Sequence, residues 1–400
     1  MKRFFGTVAR GLRSPIINEG DDLLTIVPQL LKEAGDSGQL LFQDRDVLCI
    51  TESIVGRSQG NYASIEDIAA DVRKKFGTER IKSLGLVYPI MSRNRFAILL
   101  KALSLAAEEI VLLLSYPSDE VGNAIFDPDL IHKSTVNPWQ DVLDEKTLRE
   151  NFGPCLHPFT GIDYLQFYRD TIEESGAKAK LIFANNPEAI LKYTNQVIAC
   201  DIHTRKITKH RLIEAGAGQV LDLTEILNEK SSEHGYNQEY GLLGSNKADE
   251  DRVKLFPRDC QALVDALAQE LYKMTGKHIE VMIYGDGAFK DPVGKIWELA
   301  DPVVSPAHTP GLRGKPNEIK IKYLADSEFH GLSSEEQASK IMESIKHKDE
   351  DLKGKMQSEG TTPRQYTDLL GSMADLVSGS GDKGTPFVYI QGYFDSYADN

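Results

Sequence analysis

Apolar positions along the chain recur in two rhythms, one helical and one extended. Ile65, Ile68, Ala69, Val72 and Phe76 fall three or four residues apart, the spacing of one helix face. Ser64 with Asp67 three residues on gives that helix a capping-box start, and Gly77 closes it. The apolar stretch from Phe96 to Tyr116 is interrupted by Lys101, Glu108 and Glu109. It reads as a helix to about Ala107 followed by a buried strand at Ile110–Ser115, not as a membrane span. Leu263, Val264, Leu267, Leu271 and Met274 predict an amphipathic helix over Ala262–Thr275, ended by Gly276. Further helices are expected near Asp163–Ser175, after Ser333 with Glu336, and from Thr362-Pro363, since proline suits a first helical position. Short apolar runs predict strands at Val47–Ser53, Lys180–Ala184, Gln196–Ile202, His278–Tyr284 and Phe387–Gln391.

Helices and strands alternate without repeats, and their order is irregular. That argues for α+β, or mixed α/β, rather than a regular doubly wound sheet. Glu229–Asp251 and Lys346–Gly360 are polar and read as solvated connections. With 400 residues, two or three domains are expected.

Charge narrows the function classes. Sixty acidic residues against forty-six basic give a net charge of −14. No basic stripe appears, so neither nucleic acid nor an anionic membrane surface is expected as a partner. An anionic ligand would have to be held by local cations, a metal or backbone amides. The cysteines Cys49, Cys155, Cys200 and Cys260 are scattered, without a CxxC pair, and are expected to be reduced in a cytoplasmic protein. Met1-Lys2-Arg3 is basic, but no apolar run of signal-peptide length follows it.

Three segments carry more chemistry than a core requires. Tyr284–Gly294 follows a predicted strand and holds Asp286, Asp291 and several glycines. Glycine admits close backbone approach, and two aspartates at a strand end can hold a divalent cation; a tight turn would use the same residues. Ser378–Pro386 is a Gly/Ser turn with Asp382 and Lys383. Its amides and lysine can cradle phosphate oxygens, although it is not a Walker A motif. Thr51–Gly60 runs from a strand into a glycine turn carrying Arg57, a residue able to pair a phosphate or carboxylate bidentately, although an exposed turn arginine is the plainer reading. Zinc-ligand spacing, a GxSxG elbow and a complete dinucleotide fingerprint are all missing.

In their order, these segments resemble the coenzyme F420-0:L-glutamate ligases, and by length a long bacterial branch of them. Ser14–Leu23 resembles the family's nucleotide-contacting N-terminal segment. Asp46–Gly60 resembles its strand ending in Ser-Lys-x-x-Gly, Met282–Lys290 its strand ending in Asp-Thr-x-Gly-Arg, and Gly379–Gly392 its glycine-rich turn and following strand. Leu255–Asp259 resembles the segment before a family helix, and Gly244-Ser245-Asn246 its Asp-x-Ser-Asn turn. The resemblance covers the first hundred or so residues and roughly the last 160.

It implies a ligase-like unit built from residues 1–104 and 241–400, with an insertion or extra α/β domain at 105–240. It implies Asp286 and Lys383 as catalytic, and Asp286, Asp291 and Asp382 as ligands of magnesium or manganese. The nucleotide, GTP or ATP, would be held by Pro15, Ile16, Ile17, Arg57, Asn246, Gly379, Ser380, Gly381, Asp382 and Lys383. The implied partners are a nucleoside triphosphate, an amino acid (L-glutamate in the family) and a small carboxylate acceptor, in a homodimer. Gly287 replaces a metal-binding threonine of the family, and Leu243 replaces an aspartate. Those departures keep two alternatives open: a nucleotide- or metabolite-binding protein without turnover, and a nucleotide phosphohydrolase.

Overall fold

The computed structural model describes residues 5–93, 95–157, 160–285, 289–290, 297–298, 304–358, 364–378 and 382–399. In chain order, the first elements are β1 (Val8–Leu12), α1 (Leu23–Asp36), β2 (Val47–Thr51), α2 (Glu52–Ser58), β3 (Tyr62–Ser64) and α3 (Ile65–Phe76). The middle holds β4 (Leu84–Val87), α4 (Phe96–Leu105), β5 (Glu109–Leu114), β6 (Leu143–Asp144), α5 (Glu145–Phe152) and α6 (Tyr164–Glu174). It continues with β7 (Lys178–Phe183), β8 (Gln196–Ala199), α7 (Arg205–Glu214) and β9 (Gln219–Asp222). The last part has β10 (Asn246–Lys247), β11 (Arg252–Lys254), α8 (Cys260–Thr275), β12 (Glu280–Tyr284), β13 (Phe289–Lys290), β14 (Trp297–Glu298) and β15 (Ala307–His308). It closes with α9 (Ile321–Asp326), α10 (Ser334–Lys346), α11 (Tyr366–Ser378) and β16 (Phe387–Gln391).

One sheet, in the order β1-β16-β2-β12-β15, joins the two ends of the chain. Its central strands carry continuous buried apolar runs, Val47–Ile50, Val281–Tyr284 and Phe387–Ile390, because both faces are covered. Leu48 and Ile50 of β2, with Val281 and Ile283 of β12, pack against Val27 and Leu31 of α1 and Val264 and Leu267 of α8. Val47 and Cys49, with Met282 and Tyr284, turn the other way onto Leu370 and Ala374 of α11. The strand expected over Val47–Ser53 stops at Thr51, where its parallel partner β12 also ends at Tyr284. Glu52 therefore opens a helix instead.

The middle of the chain forms a second sheet in the order β6-β7-β5-β4-β8-β9. Five of its strands are parallel, and only the edge strand β6 is antiparallel. This unit is doubly wound, which the irregular order of signals over the whole chain concealed. Its face toward α3, α4 and α6 buries Leu84, Leu86, Ile110 and Leu112. Its opposite face buries Val87, Val111 and Leu113 against Leu212 of α7. Because β4 spans Leu84–Val87, the sheet takes a strand from before the expected boundary at residue 104.

Several local expectations hold. Ser64 and Asp67 form the reciprocal capping box, and Gly77 ends α3 in the left-handed conformation. All four cysteines are free and buried. Among the described residues no helix is long and apolar enough to cross a membrane. Two expectations need correction. The last long helix begins at Tyr366, while Thr362 and Pro363 lie outside the described residues. The polar stretch 229–251 is not simply solvated: Leu242, Leu243 and Asn237 are buried, and the Asn237 amide donates to the Phe256 and Pro257 carbonyls.

Gly241 shows why that return crossing is fixed. Its φ is +53°, and a Cβ there would stand 2.5–2.7 Å from the carbonyl oxygens of Ile226, Thr224 and Leu223. Gly241→Ala is expected to destabilise the protein by at least about 2 kcal/mol, seen as a lower urea midpoint.

Asp201 follows β8 inside the second unit. One carboxylate oxygen accepts from the Thr204 and Thr208 hydroxyls at 2.6 and 2.7 Å; the other has no partner among the described residues. Burial first, and the Glu120 charge second, push its pKa up to about 6. The folded-state value exceeds the unfolded one, so this group's stability contribution is complete below about pH 4 and is lost as pH rises through 6. Asp201→Asn is therefore expected to flatten the fall in melting temperature between pH 4 and pH 7.

Candidate functional site

Strand direction gathers the site. Parallel strands β2 and β12 finish at one sheet edge, where Tyr284 pairs with Thr51. Antiparallel β16 begins at that same edge, with Phe387 opposite Ile50 and the Thr51 amide donating to the Pro386 carbonyl at 3.1 Å. The turn before β16 is pinned by the Thr385 hydroxyl, which donates to the Ser378 carbonyl at 2.6 Å. The N-terminal arm is tied to that turn through the Ser14 amide and the Gly384 carbonyl, 3.2 Å apart.

Between these pieces lies a cleft of about 460 Å³. Pro15, Ile16 and Ile17 of the arm line it, together with Thr51, Arg57 of α2, Asn246 of β10, and Gly384–Pro386 of the turn. Five of the residues expected from the sequence, Pro15, Ile16, Ile17, Arg57 and Asn246, thus come together from three distant parts of the chain. The Arg57 guanidinium is exposed and makes no hydrogen bond or ion pair among the described residues. It remains available to an anion entering the cleft.

Other expected residues are placed differently. Asp382 and Lys383 are exposed on the turn before β16 and do not line the cleft. Asp286, Asp291, Gly379, Ser380 and Gly381 lie outside the described residues. Among the described residues no group of three or more His, Cys, Asp or Glu side chains is arranged to hold a metal ion. A larger groove of about 800 Å³ between α4 and α6 contains none of the expected residues.

The residues sequence reasoning left unassigned are charged. Glu52, on the cleft wall, receives both Lys254 contacts, at 2.9 and 2.8 Å, and the two side chains are only 6% and 9% exposed. Lys254 comes from β11, whose neighbour β10 carries Asn246. A Cβ at Gly56 would stand 3.0 Å from the Leu255 carbonyl, with the Lys254 stem just beyond. Glycine here lets α2 lie against β11. A lysine flanked by Val253 and Leu255 was the available sequence signal for an inward-facing charge.

A buried pair costs desolvation that its own attraction roughly offsets, but a single buried charge has no such offset. Lys254→Met is expected to destabilise the protein by roughly 3–5 kcal/mol by stranding Glu52, and Glu52→Gln added to it to recover most of that loss. Urea denaturation of the single and double variants checks this.

A sequence model described as F420-0:Gamma-glutamyl ligase matches residues 11–392, nearly the whole chain and including the doubly wound unit. No curated protein matches. The crystal structure of eIF2B beta from Chaetomium thermophilum is similar at 11% identity with a TM-score of 0.23. That likeness covers 62% of this chain and 65% of the other, and carries no weight for fold or function.

Proposed function

The chain belongs to the F420-0:gamma-glutamyl ligase family, enzymes of the ligase class, and we propose that it joins an amino acid, L-glutamate, to a small carboxylate acceptor at the expense of a nucleoside triphosphate. The observation that carries this reading is the convergence of Pro15–Ile17, Arg57 and Asn246 around one cleft, with the Arg57 guanidinium unpaired.

The reaction needs an activated carboxylate. The acceptor carboxylate oxygen attacks the γ-phosphorus, the nucleoside diphosphate leaves, and an acyl phosphate results. The glutamate amine then attacks the acyl carbon, loses a proton, and inorganic phosphate departs. Charge accumulates on phosphate oxygens in both steps, so fixed cations and amide donors aimed at them lower the barrier. In this reading Arg57 pairs those oxygens, Asn246 orients the nucleotide, and Pro15–Ile17 pack against its base. Gly379, Ser380, Gly381, Asp382 and Lys383 are proposed to serve the phosphates through backbone amides and the lysine charge.

Asp286, Asp291 and Asp382 would hold a divalent cation, magnesium or manganese, which would supply the remaining charge neutralisation. A cytoplasmic homodimer belongs to the same proposal. A second reading, nucleotide binding without turnover, is favoured by Leu243, which is fully buried where the resembled family places a metal-binding aspartate.

Calorimetry with GTP and with ATP, in magnesium or manganese, is expected to show binding that Arg57→Met weakens about tenfold, in keeping with the loss of a charged hydrogen bond. Phosphate release is expected to require both L-glutamate and an acceptor. Release without either one identifies a phosphohydrolase, and binding without release supports the second reading. Asp286→Ala is expected to abolish manganese binding, followed by paramagnetic resonance, while leaving the melting temperature unchanged.

A further inference from the structure

Arg57 lines two spaces. Besides the cleft, it borders a groove of about 420 Å³ whose walls include Glu19, Tyr62, Asp249 and Arg252. The Glu19 carboxylate makes no hydrogen bond or ion pair among the described residues, and neither does the Arg57 guanidinium that lines the same groove. Arg252 is held by its Nε, which donates to Asp249 at 2.7 Å, and its guanidinium lies 5.6 Å from the centre of the Tyr62 ring. Its two terminal nitrogens have no partner among the described residues.

Glu19 is placed by the chain around it. The Gly20 amide donates to the Ser58 carbonyl at 2.9 Å, fixing the arm against the end of α2. Gly60, with φ +59°, leaves the room that the Glu19 side chain fills; a Cβ there would stand 2.4 Å from its carboxylate oxygen.

The groove therefore presents one free carboxylate and two guanidinium forks with donors to spare. Carboxylates are matched by guanidinium forks, and an ammonium by a carboxylate. An amino acid carrying a second carboxylate has the complementary set: two carboxylates and one ammonium. Resting on the ligase reading above, we propose that this groove is the amino-acid subsite. Glu19 receives the ammonium, Arg252 and Arg57 receive the carboxylates, and Arg57 marks the border with the phosphate-holding cleft. An amine bound there stands beside the space in which the acceptor carboxylate would be activated.

The test is titration of the full chain with L-glutamate and with glutarate, which lacks the ammonium, each with and without GTP and magnesium. Saturable L-glutamate binding is expected. Glu19→Gln should weaken it at least tenfold, leaving the affinity for glutarate and for GTP as in the wild type. Arg252→Met should weaken L-glutamate and glutarate together and leave GTP binding intact. Gly60→Ala, which displaces Glu19, should mimic Glu19→Gln. Wild-type binding of GTP without L-glutamate, or unchanged L-glutamate affinity in Glu19→Gln, overturns the proposal. Binding of L-glutamate with the expected variant pattern but no GTP binding overturns the ligase reading and upholds the groove.

Discussion

The architecture depends on where β2 sits. This five-residue strand is paired on one side with β16, near the C-terminal end, and on the other with β12, more than two hundred residues downstream. Neither pairing is local. The sheet therefore closes only after almost the whole chain has returned, and its loop-closure entropy must be offset by the apolar layers on both faces. The continuous burial of β2, β12 and β16 meets that demand. Every residue from Val47 to Ile50, from Val281 to Tyr284 and from Phe387 to Ile390 is buried.

That same pairing decides where chemistry can occur. Two parallel strands ending beside the start of an antiparallel one bring three strand ends to a single edge. Strand ends leave backbone amides and short polar side chains outside the ladder, where a ligand can use them. The doubly wound unit lies between β2 and β12 in the chain. It is accommodated because it brings its own sheet and covers both of its faces. It demands nothing of the first sheet beyond the return crossing, where Gly241 and buried Asn237 hold the chain tightly against its neighbours.

How much of this could be read beforehand varied with the range of the interaction. Local rules found α3 with its capping box, α8 with its closing glycine, and β16 over Phe387–Gln391, because those features are settled within a few residues. Arg57 and Asn246 were found through ordered motifs, and the cleft brings them together. What stayed hidden was pairing between distant segments. The boundary at 104 missed the strand Leu84–Val87, since four apolar residues do not reveal which sheet will accept them. Lys254 has apolar neighbours in sequence, but only the fold shows that Glu52 is its partner. Glu19 lay within the Ser14–Leu23 segment and Arg252 within none, neither was given a role, and the fold brings both onto one groove with Arg57.

Ion pairing in turn bears on how Arg57 stays open to a ligand in a chain of net charge −14. With so many carboxylates available, a cation near the surface readily finds a partner. Lys254 is taken by Glu52, Lys101 by Asp251, and Arg252 in part by Asp249. Glu52 is the carboxylate nearest in sequence that might have claimed Arg57, and Lys254 already occupies both of its oxygens. The buried pair thus does more than fasten β11 to α2. By binding both oxygens of Glu52, Lys254 keeps that carboxylate from pairing with Arg57. An uncompensated guanidinium between two cavities is the feature an anionic substrate requires, because a ligand that must first displace an internal carboxylate loses part of its binding energy in doing so.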